Sequence, residues 1–375
     1  MLSLLLVAFL IFLWVLMNRY QPENQLINEL EVERFLADNW GSQNLGEDAT
    51  PLIEIRTGIF IQSLDFLNSS QVHLTGYIWQ KYENKPTHIE IKEAIGTSKA
   101  GFTLPEQVDQ TEPSEAYRKR FLQGIEVCDN VVMGCPENQA WDEELIGWYF
   151  EATLRQPFNY DDYPFDHKTV WIRMWANDFS HNIVLTPDFS SYDATGLDDI
   201  FGIENDIVLG TWKREDTFFD YHLASYSTNF GIHDYVGRNA FPDLRYNFVI
   251  KRQFESAFIV YLLPLFLVSI LLFSALLTVS EEQDTLARHG FNTSDFIGGA
   301  SALFFVVMLA HIQLRQEVGG SNIIYIEYFY ILMYGILVLA TANTYLFSVK
   351  SAENGSWLDI IHDNDNLIPK LPIGL

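Results

Sequence analysis

Three long apolar blocks occupy the last third of the chain: Ala257 to Val279, Phe296 to Leu314 and Ile323 to Val349. Each comes near the ~20 residues that an α-helix needs to cross hydrocarbon. They read as three consecutive membrane helices with short loops. A fourth apolar stretch, Leu2 to Met17, is short for a span and long for a signal-peptide core. It has neither a basic n-region nor a small-x-small cleavage site, so it reads as a retained anchor, with a cleaved signal peptide as the alternative.

Between the first stretch and the three blocks lie more than two hundred residues of strand-like alternation broken by turn residues. Ile53 to Leu67 and Gln71 to Tyr82 show the pattern best, and LNSS joins them as a hairpin. The expected fold is therefore a membrane protein with an extracellular all-β sandwich followed by an α-helical transmembrane bundle. Its parts are an anchor or signal sequence over 1–18, a linker over 19–50, the β domain over 51–253, three helices over 254–349 and a polar tail over 350–375. Lys251 and Arg252 lie at one face, and EEQDTLARHG holds one arginine against three acids at the other, so the positive-inside rule gives no vote. Placing the β domain outside puts the N-terminus and the tail in the cytoplasm.

A chain of 375 residues, 48% hydrophobic and 15% aromatic, is long enough for two domains. Its 23 Lys and Arg against 49 Asp and Glu give a net charge of -26, which argues against nucleic acid as a partner. The acidity suits cations or cationic ligands, and equally a solubility adaptation to salt. Cys128 and Cys135, in CDNVVMGC, have no histidine at metal spacing, so neither metal nor cofactor is expected. Outside the cytoplasm a disulfide between them would contribute roughly 2.5 kcal/mol by the chain-entropy estimate, and two buried thiols are the alternative.

The stretch DDYPFDHKTVW, Asp161 to Trp171, interrupts the alternation. Pro164 fixes a bend and biases Tyr163 toward extended backbone, which leaves Tyr163 and Phe165 as apolar side chains on a loop tip. With IRTGIFIQSLDFLNSSQVHLTGYIW before it, and KRQFESAFIVYLLP and GGSNIIYIEYFYILMYGILVLATANTYLF after it, this loop resembles the signature loop of the pentameric ligand-gated ion channels. The resemblance covers roughly Pro51 to Phe347, and its specificity lies in the order of the pieces. Three features depart from the family. Cysteines that would close the loop near Gln156 and Val170 are absent, as in the bacterial branch. Lys85 to Trp141 is longer than expected and lacks a tryptophan-proline landmark. No fourth membrane helix follows the third. Leu2 to Met17 could fill that slot, or be a signal sequence on a three-helix variant.

The resemblance implies site residues. The second bundle helix would line a pore, with Gly290, Ser294, Ile297, Ser301, Phe305, Met308, Ile312 and Arg315 on one stripe. A ring of Phe305 side chains could close the path by dewetting, or Phe304 and Phe305 could pack against neighbouring helices. Glu281, Glu282, Asp284 and Asp295 at the inner mouth favour cations, while Arg315 points the other way. His311, inside an apolar block, reads as a pH sensor or as a neutral histidine on a backbone carbonyl.

Coupling would use Asp65 in the hairpin turn, Pro164, Phe165 and Asp166 in the loop, and Arg252 before the first helix, with Phe165 wedged against the linker Gly319 to Tyr325. An arginine at such a junction needs carboxylates, or the junction is architectural only. The ligand pocket would draw on Tyr77, Trp79, Trp175, Phe179, Phe230, Tyr235 and Phe241, whose rings suit an ammonium or another amphipathic molecule; packing of the sandwich is the competing reading. Asp193, Asp198, Asp199 and Glu204 fit no calcium-loop spacing.

The chain holds no nucleophile elbow, phosphate loop or HExxH, so it does not read as an enzyme. The expected function is a ligand- or proton-gated, cation-selective channel subunit in a homopentamer, with membrane lipid, permeant ions and a small molecule or protons as partners. A non-conducting sensor or adhesion protein on the same fold is the alternative.

Overall fold

The computed structural model describes residues 2–17, 20, 24–41, 52–95, 99–129, 140–178, 181–197, 199–231, 241–279, 293–318 and 322–348. It divides into two compact units. One comprises Tyr20–Phe158 and His167–Lys251; the other comprises Met1–Arg19, Asn159–Asp166 and Arg252–Leu375.

The first unit is built of strands. β1 (Ile53–Asn68) and β2 (Gln71–Glu83) form the hairpin, turning at Ser69 and Ser70 where Asn68 Oδ1 accepts from the Ser70 amide at 2.9 Å. Side chains alternate strictly on β2: Val72, Leu74 and Ile78 are buried, while Tyr77 and Trp79 stand on the other face. The remaining strands are β3 (Phe102–Thr103), β4 (Ser114–Leu122), β5 (Ile125–Asp129), β6 (Glu143–Arg155), β7 (His167–Ala176), β8 (Ile183–Pro187), β9 (Trp212–Ala224) and β10 (Phe241–Arg252). They make a six-stranded sheet of order β5-β4-β6-β2-β1-β8 and a four-stranded sheet of order β3-β7-β10-β9. β1 pairs with β8 in parallel, and β1–β2, β2–β6, β4–β6, β4–β5, β3–β7 and β7–β10 are antiparallel.

One core joins the two sheets. Ile59, Ile61, Ile78, Trp148 and Phe150 of the larger sheet cluster with Val170, Ile172, Phe219, Tyr246 and Phe248 of the smaller. Each such aliphatic or Phe side chain contributes about 1.5–3 kcal/mol by leaving water. The segment 19–50, expected to be a linker, carries a capped helix, α2 (Glu29–Leu36). Asn28 Oδ1 caps the helix by accepting from Glu31 N at 3.0 Å, and Glu31 Oε2 accepts from the amide of Ile27, the residue before the cap, at 3.0 Å. Val32 and Leu36 then join the sandwich core. A third helix, α3 (Pro86–Ile95), follows β2.

The second unit is helical: α1 (Leu2–Met17), α4 (Phe254–Thr278), α5 (Thr293–Val318) and α6 (Glu327–Ser348). The last three, at 25, 26 and 22 residues, are long and apolar enough to cross a membrane. A wide turn, Phe258–Leu262, stands just before Pro264 in α4, where proline supplies no N–H to the ladder. Leu265, Val268, Leu272 and Leu276 line one buried face at steps of three and four. Phe266, Leu267 and Leu271 on α4, Leu309 on α5 and Leu332, Val338 and Leu339 on α6 remain exposed.

Candidate functional site

The loop tip Asn159–Asp166 belongs to the helical unit. Its Tyr163-Pro164 peptide is cis. Phe165 is buried and stacks on Phe254 at the head of α4, with ring centroids 5.0 Å apart and planes 16° from parallel. Trp14 of α1 lies 5.4 Å from each of these rings, and its Nε1 donates to the Tyr325 hydroxyl at 3.0 Å. Tyr325 is itself fixed to the tip, its amide donating to Asp161 O at 2.8 Å. Of the segment 319–325, Tyr325 has its ring 6.3 Å from that of Phe165, while Gly319 and Gly320 lie outside the described residues.

Arg252 and Asp166 form a two-pronged pair, Nε to Oδ1 at 2.8 Å and Nη2 to Oδ2 at 3.3 Å. Their side chains are only 9% and 3% exposed. Such geometry matches the planar guanidinium to the carboxylate and offsets the cost of burying both charges. The guanidinium also sits 4.5 Å above the Tyr163 ring, which meets Tyr261 of α4 edge-on at 6.0 Å. Burial pushes the Tyr163 hydroxyl above its ordinary value. Burial opposes the Arg252 charge, yet Asp166 and its hydrogen bonds outweigh that and hold the arginine more firmly protonated. Asp65 stands elsewhere than expected. It lies within β1 opposite His73, exposed, because the ladder continues to Asn68 before turning.

Within the sandwich unit, Trp175, Tyr226 and Phe230 form a ring triangle, with centroid distances of 5.5, 6.4 and 5.7 Å. Phe230 takes a left-handed backbone, φ 53°, and its amide is held by Thr228 Oγ1 at 3.1 Å. The guanidinium of Arg173, two residues before Trp175, lies 5.4 Å from the Trp175 ring. It donates to Glu106, to the Tyr226 hydroxyl at 3.2 Å and to Asp243 Oδ2 at 3.4 Å. Burial raises both carboxyls, Asp243 to about 6, with Glu106 adding repulsion at Asp243. Two carboxylates share one arginine here, beside the Trp175 ring and the Tyr226 hydroxyl. Phe179 and Tyr235 lie outside the described residues.

Tyr77 and Trp79 occupy the outward face of the six-stranded sheet. Tyr77 meets Tyr149 edge-on at 5.4 Å, and Trp79 donates from Nε1 to Asp188 Oδ2 at 2.9 Å. Gly58 makes room for this: a Cβ there would stand 2.2 Å from Trp79 Cζ2. Burial works against the Asp188 charge, but hydrogen bonds from Lys81, Ser191, Trp79 and Ser190 hold its carboxyl below the usual range.

On α5, Ser294, Ser301, Phe305, Ile312 and Arg315 are exposed, and Ile297 and Met308 are half-buried. The inward face is instead Phe296, Ala300, Val307 and Leu314. Ile297, Ser301 and Phe305 rim a groove of about 600 Å³ shared with Leu337, Thr341 and Tyr345 of α6. Phe304 packs on Tyr334 of α6 at 5.4 Å. His311 does not bond a backbone carbonyl. Its Nε2 lies 3.0 Å from Glu327 Oε1 and its Nδ1 3.2 Å from the Tyr334 hydroxyl, because α6 offers side chains at that height. Glu327, 1% exposed, also pairs with Arg315 and accepts from Ile324 N at 3.0 Å. Gly290, Glu281, Glu282 and Asp284 lie outside the described residues, and Asp295 is exposed near the start of α5.

Gln156 accepts from the Trp171 amide at 3.3 Å and donates to the Trp171 carbonyl. This amide clasp ties together the two ends of the loop. Cys128 is disulfide-bonded, and Cys135, the other cysteine of the sequence, lies outside the described residues. No group of three or more His, Cys, Asp or Glu among the described residues is placed to hold a metal. Asp199 instead accepts from Gly196 N at 2.8 Å, and Asp198 lies outside the described residues.

Sequence reasoning passed over Trp14, Phe254, Tyr226, Glu327 and the Glu106–Arg173–Asp243 set. Glu327 left a signal as an acid opening an apolar block, and Tyr226 as an aromatic four residues before Phe230. Trp14 left none beyond its place near the end of an apolar stretch. No family model matches the chain, and no curated protein matches it significantly.

Proposed function

We propose that this chain is the subunit of a homopentameric, cation-selective, ligand- or proton-gated ion channel in the cell membrane, with the β unit outside the cytoplasm. α4, α5 and α6 span the bilayer, and the stripe of α5 from Ser294 to Ile312, exposed except for half-buried Ile297 and Met308, faces the pore, with Phe305 as its apolar constriction. The observation that carries this reading is the loop tip. A segment inserted between two strands of a sandwich folds as part of the helical unit, with Phe165 stacked on Phe254 and Asp166 paired to Arg252. Such a segment can pass a shift of the strands at its two ends into the start of α4.

The signal enters at the Trp175, Tyr226 and Phe230 rings and their Arg173–Glu106–Asp243 base. Ring faces suit a cationic organic ligand, and the two raised carboxyls suit protons. Reconstitution into planar bilayers tests the proposal. Unitary currents are expected under acid or an amine ligand, with Phe305→Ala conducting in their absence. Silence of wild type and variant across pH 4 to 8 and an amine panel overturns the channel reading.

A further inference from the structure

We propose that Leu2–Met17 is a retained membrane helix that serves as a fourth member of the helical unit, and that Trp14 is a positioning residue holding the loop tip on α4. The inference rests on the membrane reading above but not on conduction.

Three separate chain segments converge on this one indole. Phe165 comes from the loop tip, Phe254 from the head of α4 and Tyr325 from the approach to α6. Trp14 therefore completes the stack that Phe165 and Phe254 begin, and its N–H fixes the Tyr325 hydroxyl. A leader peptide awaiting removal has no physical use for a hydrogen-bonded anchor of this kind. Removing it would leave the Phe165–Phe254 stack uncovered and the Tyr325 hydroxyl without its donor.

The other face of α1 fits lipid. Leu10, Leu13 and Trp14 are half-buried, while Phe9, Phe12, Val15 and Leu16 are 44–57% exposed. An exposed apolar face this dense needs a hydrocarbon neighbour. Sixteen residues rise about 24 Å, most of the depth of a bilayer core. Trp14 falls three residues from the end of the helix, where an aromatic ring with one polar atom favours the membrane–water boundary.

The test uses the full chain extracted from membranes. Intact-mass measurement is expected to return a chain that still contains Leu2–Met17; a mature chain beginning beyond Met17 overturns the proposal. Trp14→Phe keeps the ring and removes the donor, and Tyr325→Phe removes the acceptor. In a double-mutant cycle each single change is expected to shift the activation midpoint by about 3- to 10-fold, the size of one hydrogen bond, with the double change no larger than the greater single one. Maximal current per surface subunit stays unchanged. Shifts that multiply, or no shift in either single variant, overturn the role of Trp14. If no current is found at all, the same cycle is read from melting temperature in detergent, where non-additivity supports the contact and additivity overturns it. Loss of the channel reading is thereby kept apart from loss of this one.

Discussion

Acid should strengthen the β unit at Asp243, against the usual trend. The carboxyl is 4% exposed, and burial first, then Glu106, lift it from 3.8 to about 6, with Trp175, Arg173 and Tyr226 holding it back. A rise of roughly 2 units corresponds to about 3 kcal/mol of preference for the neutral form in the folded state. The folded chain binds this proton more tightly than the unfolded chain, so stability grows as pH falls through 6 and the gain is complete below 3.8. Glu106, also raised by burial, acts in the same direction. Other carboxylates oppose it: Asp188, Glu144 and Asp109 are held low and weaken the fold on acidification. Only a difference between variants therefore isolates the site.

Asp243→Asn removes the ionisation while keeping a polar group of the same shape. It is expected to stabilise the protein at pH 8 by up to about 3 kcal/mol, less whatever the lost attraction to Arg173 was contributing, and to flatten the wild-type-minus-variant curve below pH 4. Thermal unfolding in detergent, followed by tryptophan fluorescence at intervals between pH 4 and 8, reads the difference. A variant that melts below wild type at pH 8, with an unchanged difference at pH 4, refutes the reasoning.

Three further outcomes follow from contacts in single units. Arg252→Gln strands a buried Asp166 carboxylate and is expected to cost about 3–5 kcal/mol, with Asp166→Asn on top adding far less than its own cost; strict additivity in melting would show that the pair is not coupled. Gln156→Ala leaves the Trp171 amide and carbonyl unpaired, a loss of about 2–3 kcal/mol in stability, and a melting temperature equal to wild type would count against the clasp. Gly58→Ala drives a methyl into the Trp79 ring and breaks its bond to Asp188, costing about 1–3 kcal/mol with a red-shifted emission; unchanged emission would mean that the strand yields instead of the indole.

Much of the fold was legible because its signals are local. Alternation over Ile53 to Leu67 and Gln71 to Tyr82 reports directly on strands with one buried face, and the observed β1 and β2 end within one residue of those limits. Apolar length reports directly on candidate spans. Arg252 had two candidate partners through the resemblance alone, Asp166 and Asp65, and the structure pairs it with Asp166. Asp65 was misplaced because a ladder can run past the point where turn residues begin. Of the two readings of His311, the one on a backbone carbonyl fails, because nothing local says which residue of a neighbouring helix arrives beside it.

Residue order alone settled the β1–β2 hairpin, the three long apolar helices and the presence of a proline-bent loop between two strands, but neither α2 nor α3. Those properties depend on side-chain period and on backbone stereochemistry within a few residues. Folding in three dimensions decided that this loop joins the helices, that Trp14 closes over it, and that Glu106 and Asp243 share Arg173. Such groupings arise between positions far apart in the chain, where packing and desolvation choose the neighbours and no local pattern records the choice.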